Sequence, residues 1–117
     1  AKADALATRG YAAIVTDHYG RDKRDLGDDA FALMNELLAD RDRLRRQLLD
    51  TLSFAQRLEG VDTHRIAIIG YCFGGLCALD LARTGTDAIC GAVSFHGIFS
   101  RPELGPQVPI KAKLLVL

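Results

Sequence analysis

The sequence predicts a parallel α/β fold in which helices cover both faces of the sheet. Segments with apolar residues at helical spacing alternate with short apolar runs at 11–16, 65–69, 90–95 and 114–117. Runs that are apolar throughout are typical of strands buried on both faces, and crossover helices supply that cover. We therefore expect right-handed crossovers and one partial domain over residues 1–117.

The first 27 residues predict a helix, a strand and a charged loop. Residues 3–9 have helical spacing, and Gly10 is placed to end this helix in a left-handed conformation. The run 11–16 is apolar and partly β-branched, which favours a buried strand. Turn residues at 17–20 end it, and a charged loop follows over 20–27.

Two consecutive helices are predicted next. Asp28 or Asp29 is placed to cap the first, and residues 40–42 interrupt the pattern as a kink or a new cap. The second helix ends at Gly60. The apolar positions of the two helices are Phe31, Met34, Leu37, Leu38, Leu44, Leu48, Leu52, Ala55 and Leu58.

The second half of the chain predicts three more strands and one more helix. The strand 65–69 leads through the glycine-rich turn 70–75 into a helix that stops near Gly85. A strand follows over 90–95, and a loop with all three prolines leads to the final apolar run, 114–117.

Composition excludes several classes of protein. The chain has 117 residues, 49% of them hydrophobic and 26% charged, which is too apolar for disorder and too charged for a membrane bundle. Fifteen basic residues balance fifteen acidic ones, so no global field favours nucleic acid or a membrane as a partner. The arginines at 41, 43, 45 and 46 alternate with aspartates and are interpreted as a solvated helix face. Three cysteines form no disulfide framework, and together with the lack of a secretory signal they favour the cytoplasm.

The two ends of the sequence suggest a piece of a longer protein. The chain begins at Ala1, without Met, and stops at Leu117 inside an apolar run with no turn residues after it. We expect a domain truncated at both ends.

One motif carries chemistry: Gly70-Tyr71-Cys72-Phe73-Gly74, between a strand and a helix. A sharp strand-to-helix turn lifts the side chain of Cys72 above the sheet, and Gly70 and Gly74 are predicted to relieve the crowding that Cβ atoms would cause. Gly75 lets the helix pack closely on the sheet. The helix N-terminus favours a thiolate, and the backbone N–H of Phe73 points to where an oxyanion would form. Cys72 is therefore the predicted nucleophile.

The alternative for each cysteine is a small buried hydrophobic residue, the usual fate of a free thiol. We accept this interpretation for Cys77, which falls inside a helix, and for Cys90, which opens a strand. The position of Cys72 between two glycines favours the nucleophile instead.

The stretch from Arg65 to Leu76 resembles the nucleophile elbow of the dienelactone hydrolase family, which are α/β-hydrolases with cysteine in place of serine. The stretches 6–11, 17–20, 91–97 and 113–117 agree with it, so the resemblance covers nearly the whole chain. It implies hydrolysis of a small ester or lactone through an acyl-enzyme, with no metal or organic cofactor.

The resemblance also implies missing parts. The acid and the histidine of the triad follow the nucleophile in chain order, so we expect both beyond Leu117 and a fragment that is itself inactive. By the same resemblance, we expect the strands that precede 11–16 to be absent, including the one that normally lies between 11–16 and the elbow strand. The loop that supplies the second oxyanion donor would be absent with that strand. Unpaired sheet edges predict self-association into a homo-oligomer.

Other candidate residues keep two interpretations. His96 follows the strand next to the elbow strand, so it is a candidate for lining the pocket rather than the general base. His64 precedes its strand, at the end opposite the elbow, and His18 is predicted to lie more than one strand away. Tyr71 and Phe73 either shape the pocket or pack in the core.

The polar residues at the end of the first predicted strand have a functional alternative too. The loop cations Arg21, Lys23 and Arg24 are placed to grip a substrate carboxylate, although a solvated loop is favoured. Asp17 is interpreted as a turn former rather than a catalytic acid.

Three other functions compete with the ester hydrolase. Glutamine-amidotransferase-like hydrolases usually place histidine directly after the cysteine, where this chain has Phe73. The turn Gly70–Gly75 does not match the G-x-G-x-x-G pattern of dinucleotide-binding proteins, and its bulky residues block a pyrophosphate. A non-catalytic, self-associating α/β module is the third.

Overall fold

Three parallel strands form the sheet in the computed structural model, which describes residues 2–23, 27 and 29–117. Its elements are α1 (Lys2–Ala7), a short 3-10 helix (Arg21–Lys23), α2 (Asp29–Ala39), α3 (Arg41–Arg57), β1 (Ala67–Tyr71), α4 (Phe73–Arg83), β2 (Gly91–Phe95) and β3 (Lys113–Val116). The strand order is β1-β2-β3, with Ala67 beside Gly91 and Gly91 beside Lys113. The predicted parallel α/β fold is confirmed.

The helix boundaries follow local signals. α1 ends two residues earlier than predicted, and Gly10 after it has the expected left-handed φ of 89°. The interruption at 40–42 is a new cap, because the Asp40 side chain accepts a hydrogen bond from the backbone N–H of Arg43 at 3.0 Å. α3 ends at Arg57, before the predicted stop at Gly60. Asp28, one of the two proposed caps of α2, lies outside the described residues.

The strand predicted at 11–16 is wrong. These residues carry no strand pairing, and Tyr11 and Val15 are exposed. A strand exists only through backbone hydrogen bonds to a neighbour, and the sheet that the described residues build consists of β1, β2 and β3 alone. An apolar, β-branched run therefore stays unpaired here.

The core lies on one side of the sheet. α4 packs on β1 and β2, and α3 packs on α4. The side chains that meet there come from one face of each of the two helices and from β2: Leu44, Leu48, Leu52, Leu76, Cys77, Leu81 and Ala92. This is the amphipathic arrangement that the helical spacing predicts.

The opposite face of the sheet has little cover within the described residues. Ile69, Tyr71 and Leu115 project from it and are all more than a third exposed. From α1, Lys2 reaches this face and places its ammonium 3.3 Å from the centre of the Tyr71 ring. Helix cover is therefore unequal between the two faces.

The arginines at the start of α3 are only partly solvated. Arg43 and Arg46 are exposed, and Arg46 pairs with Asp42 one turn earlier. Arg41 instead turns inward and binds the buried carboxylate of Asp80 on α4, so it departs from the predicted solvated face. In the described part of the chain, no helix has the length and apolarity needed to cross a membrane.

Candidate active site at the strand-to-helix elbow

Cys72 stands alone between the last residue of β1 and the first of α4, with φ 54° and ψ −116°. A positive φ is uncommon outside glycine and costs of order 1–3 kcal/mol, so neighbouring structure must maintain it. The Cys72 N–H donates to the carbonyl oxygen of Phe95 at 3.0 Å. Its own carbonyl accepts from the N–H groups of Gly75 at 3.0 Å and Leu76 at 3.3 Å. The residue is exposed, as expected for a side chain lifted out of the turn.

Two of the three elbow glycines are required by close approaches. A Cβ on Gly70 would overlap the carbonyl oxygen of Gly74 and lie 2.7 Å from the nitrogen of Gly75. A Cβ on Gly75 would lie 2.6 Å from the Ser94 hydroxyl and 2.9 Å from the Cα of Gly97. The helix therefore packs on the end of β2 as closely as the sequence predicts.

The steric reason given for Gly74 is wrong. In the described part of the chain, a Cβ on Gly74 would have no atom within 4 Å apart from its chain neighbours and its own helix. The backbone of Gly74 is crowded by Gly70, but the space where a Gly74 side chain would project is open. Gly74 instead lines a cleft of about 470 Å³ together with Phe73 and residues 15–19.

Phe73 is the first residue of α4, so its N–H belongs to the first turn, whose N–H groups have no acceptor within the helix. This is the position from which the sequence predicts a hydrogen bond to an oxyanion. The predicted role stays a prediction.

The two aromatic residues beside Cys72 have different surroundings. Tyr71 stacks on Phe95, with ring centres 4.5 Å apart and planes 7° from parallel. Phe73 is half-buried, packs against the core, and contacts the rings of His18 and Tyr19. Phe73 therefore lies between the core and the cleft, whereas Tyr71 lies on the open face of the sheet.

His18 lies much closer to the elbow than predicted. Its ring meets the Phe73 ring edge-on at 6.3 Å, and its Nε2 lies 3.0 Å from the Thr16 hydroxyl. Burial lowers the pKa of His18 below its usual value, against the opposing effect of the Asp17 carboxylate. The prediction failed because it assigned 11–16 to a strand separated from β1 by another strand.

Tyr19 is a site residue that the sequence analysis missed. It stacks on Phe73 at 6.4 Å between ring centres. Burial raises the pKa of its hydroxyl, and the Cys77 and Cys72 thiols add to the effect. Its place directly after His18, at the end of an apolar run, was the available signal.

The remaining candidates near the cleft are loop residues. Asp17 accepts hydrogen bonds from the N–H groups of Tyr19 at 3.2 Å and Gly20 at 2.9 Å, which confirms it as a turn former. Arg21 and Lys23 lie exposed on the short 3-10 helix. Arg24 lies outside the described residues.

His96 and His64 lie at opposite ends of the sheet. His96 follows β2, has φ 41°, and donates its N–H to the carbonyl of Leu117 at 2.6 Å. Its ring centre is 6.4 Å from that of Tyr71. His64 precedes β1, and its N–H binds the Asp62 carboxylate at 2.9 Å.

The other two cysteines differ from each other. Cys77 is buried in the core, and burial raises the pKa of its thiol to about 12, with a further contribution from Asp80. Cys90 is exposed, so the buried interpretation is wrong for it. The Cys90 N–H donates a hydrogen bond to the Ile66 carbonyl, and the Cys90 carbonyl accepts one from the Lys113 N–H. Within the described ranges, no three His, Cys, Asp or Glu side chains gather in a way that could hold a metal ion.

Comparison with known proteins agrees with this geometry. A family model described as "Dienelactone hydrolase family" matches residues 2–117. A solved structure titled "m3DLH" superposes with a TM-score of 0.79 at 35% identity, covering 98% of this chain and 48% of that one.

Two curated relatives are similar to parts or most of the chain. The "Putative carboxymethylenebutenolidase" of Aquifex aeolicus (strain VF5) is 28% identical over 111 residues, which are 92% of this chain and 48% of that protein. The "Uncharacterized protein K02A2.1" of Caenorhabditis elegans is 37% identical over 61 residues, which are 52% of this chain and 39% of that protein. The chain thus spans half or less of the length of these relatives.

Proposed function

The chain belongs to the dienelactone hydrolase family, and on that premise we propose that it forms the nucleophile half of a hydrolase that cleaves small carboxylic esters or lactones through Cys72. The name of the Aquifex aeolicus relative supports a lactone-type substrate. The observation that carries the proposal is the backbone of Cys72, strained at φ 54° and ψ −116° between β1 and α4, with its residue exposed.

The proposed reaction has two steps. The Cys72 sulfur attacks the carbonyl carbon and forms a C–S bond, while the carbonyl oxygen becomes an oxyanion that accepts a hydrogen bond from the Phe73 N–H. Collapse of this intermediate breaks the C–O bond, and the alcohol leaves with a proton. Water then cleaves the thioester, releases the carboxylic acid and restores the thiol.

The general base is not assigned to a histidine of this chain. In the described residues, no histidine hydrogen-bonds the Cys72 sulfur. We assign the base and its acid to positions that follow the nucleophile in the family's chain order. His96 is proposed to line the pocket, and complete loss of acylation in His96→Ala would show that this assignment is wrong.

Thiol labelling tests the nucleophile. Iodoacetamide at neutral pH should modify Cys72 first, because the elbow exposes its sulfur at the N-terminus of α4. Cys90 is a matched control, since it is also exposed but lies outside the elbow, and the buried Cys77 should stay unmodified. p-Nitrophenyl acetate should leave an acetyl group on the same sulfur, seen by mass spectrometry and absent in Cys72→Ala. Equal labelling of Cys90 and Cys72 would contradict an activated nucleophile.

We also propose that the chain self-associates through the sheet edges that are unpaired among the described residues, strands β1 and β3, together with the open face between them. Ile69, Tyr71 and Leu115 form an apolar surface there, and all four residues of β3 are exposed. Sedimentation velocity should show concentration-dependent dimers or larger species, weakened by Leu115→Lys. A single monomeric species over a wide concentration range would refute this.

A further inference from the structure

We propose that a second cleft, remote in residues from the elbow, binds a small monocarboxylate through Arg45 and Arg101. This cleft has a volume of about 410 Å³, in the range of small-molecule sites. It lies between α3, the C-terminal end of α4 and the proline-rich loop 101–110. It shares no lining residue with the cleft beside Phe73.

The charges around this cleft do not balance. Arg83 also lines it, and its guanidinium together with that of Arg41 binds the one buried carboxylate of Asp80. Among the described residues, neither the Arg45 side chain nor the Arg101 side chain makes an ion pair or a hydrogen bond. Two guanidinium groups are therefore left for an anion, and guanidinium binds a carboxylate in a paired, planar geometry.

Arg45 is placed by the same helix face that forms the buried ion pair. It follows Arg41 by one turn of α3, so both side chains point toward α4. Asp80 and Arg83 occupy the facing turns of α4. Arg45 is half-buried, whereas Arg43 on the same helix is exposed and does not line the cleft.

The walls indicate the rest of the ligand. Leu104, Val108 and Ile110 line the cleft together with two prolines, so an apolar body fits beside the anionic group. The loop is held against α4 at Gly85, where a Cβ would lie 2.8 Å from a Val108 methyl group. The C-terminal end of α4 carries partial negative charge, which opposes any anion and opposes a dianion such as a phosphate monoester more than a single charge. The attraction therefore comes from Arg45 and Arg101, and a monocarboxylate is the better match.

Calorimetric titration of the full chain with benzoate, benzamide and phenyl phosphate tests the site. We expect benzoate to bind, uncharged benzamide to show no binding, and phenyl phosphate to bind more weakly. Arg45→Gln and Arg101→Gln should each weaken benzoate binding by about tenfold or more, since each removes a charge-assisted hydrogen-bonding group. Arg43→Gln, an equal loss of charge on the same helix, should leave it unchanged.

Location is tested separately. Backbone amide NMR shifts on adding benzoate should concentrate at residues 104–110 and at α4 near Arg83, and should persist in Cys72→Ser. Circular dichroism of each variant establishes that the fold is retained. Shifts centred on Phe73, tighter binding of phenyl phosphate than benzoate, or no effect of Arg45→Gln and Arg101→Gln would overturn the proposal.

Discussion

The buried carboxylate of Asp80 should be one of the most sensitive positions in the chain. It accepts two hydrogen bonds from Arg41, both at 2.7 Å, and one from Arg83 at 3.1 Å. The two arginines also bind the backbone carbonyls of Phe99 and Ser100, so the network joins α3, α4 and the segment after β2. Asp80→Asn keeps the volume of the side chain but removes its charge.

The magnitude follows from the burial of this ion pair. The Asp80 side chain is 2% exposed and that of Arg41 is 11% exposed, so removal of the anion leaves a nearly buried cation without a counter-charge. Breaking such a pair costs about 3–5 kcal/mol in the free energy of unfolding. With a urea m-value of about 1–3 kcal/mol/M, the midpoint of unfolding should fall by about 1 M or more.

Two controls separate the ion pair from other effects. Asp42→Asn removes the exposed partner of Arg46, whose side chain is 64% exposed, and should cost at most about 0.5 kcal/mol. The double variant Arg41→Met with Asp80→Leu should regain most of the loss, because an apolar pair carries no desolvation cost. A loss of less than about 1 kcal/mol in Asp80→Asn would refute this reasoning.

Three other predictions concern the elbow and its surroundings. Gly70→Ala should lower the free energy of unfolding by about 3 kcal/mol or more, because the added Cβ would overlap backbone atoms. Gly74→Ala should raise the free energy of unfolding by up to about 1 kcal/mol, because its Cβ meets no such atoms among the described residues and alanine favours helix. Comparable losses in both variants would contradict the geometry. Ser94→Ala should leave stability unchanged or raise it by up to about 1 kcal/mol in urea unfolding, because the buried Ser94 hydroxyl has no hydrogen-bond partner among the residues that the structure describes. The lowered pKa of His18 means that the unfolded chain binds more protons, so stability should be lost as pH falls below about 6.5 and through the folded-state pKa. His18→Gln should reduce this loss and His64→Gln should not; the same acid loss in His18→Gln would contradict the assignment.

Local patterns predicted most of the fold. Helical spacing located α2, α3 and α4, and the glycine pattern located the turn at Cys72, because both depend on residues close in sequence. The strand β1 is shifted two residues from its predicted position, since pairing with β2 determines where it begins and ends. The strand prediction for 11–16 was wrong for the same reason, because a segment becomes a strand only when it pairs with another segment.

The site was less predictable because its contacts are long-range. Arg41 and Asp80 are 39 residues apart, and nothing in their local sequence distinguishes this arginine from its solvated neighbours. His18 contacts Phe73 across an even longer separation in sequence. The exposure of Cys90 could not be predicted from its strand-like local sequence either, because the burial of a residue in a strand depends on which elements cover the sheet.

The hydrogen bond from the Cys72 N–H to the Phe95 carbonyl links the strained turn to β2 instead of to its own strand or helix. The next residue, His96, binds the carbonyl of Leu117 in the same way, so β2 holds both neighbours at this end of the sheet. Amide hydrogen exchange at Cys72 should therefore be as slow as in the strands themselves, although the residue lies in a bend. Relaxation of Cys72 to an unstrained geometry requires separation of β1 from β2, so the positive φ of this residue should persist for as long as the sheet does.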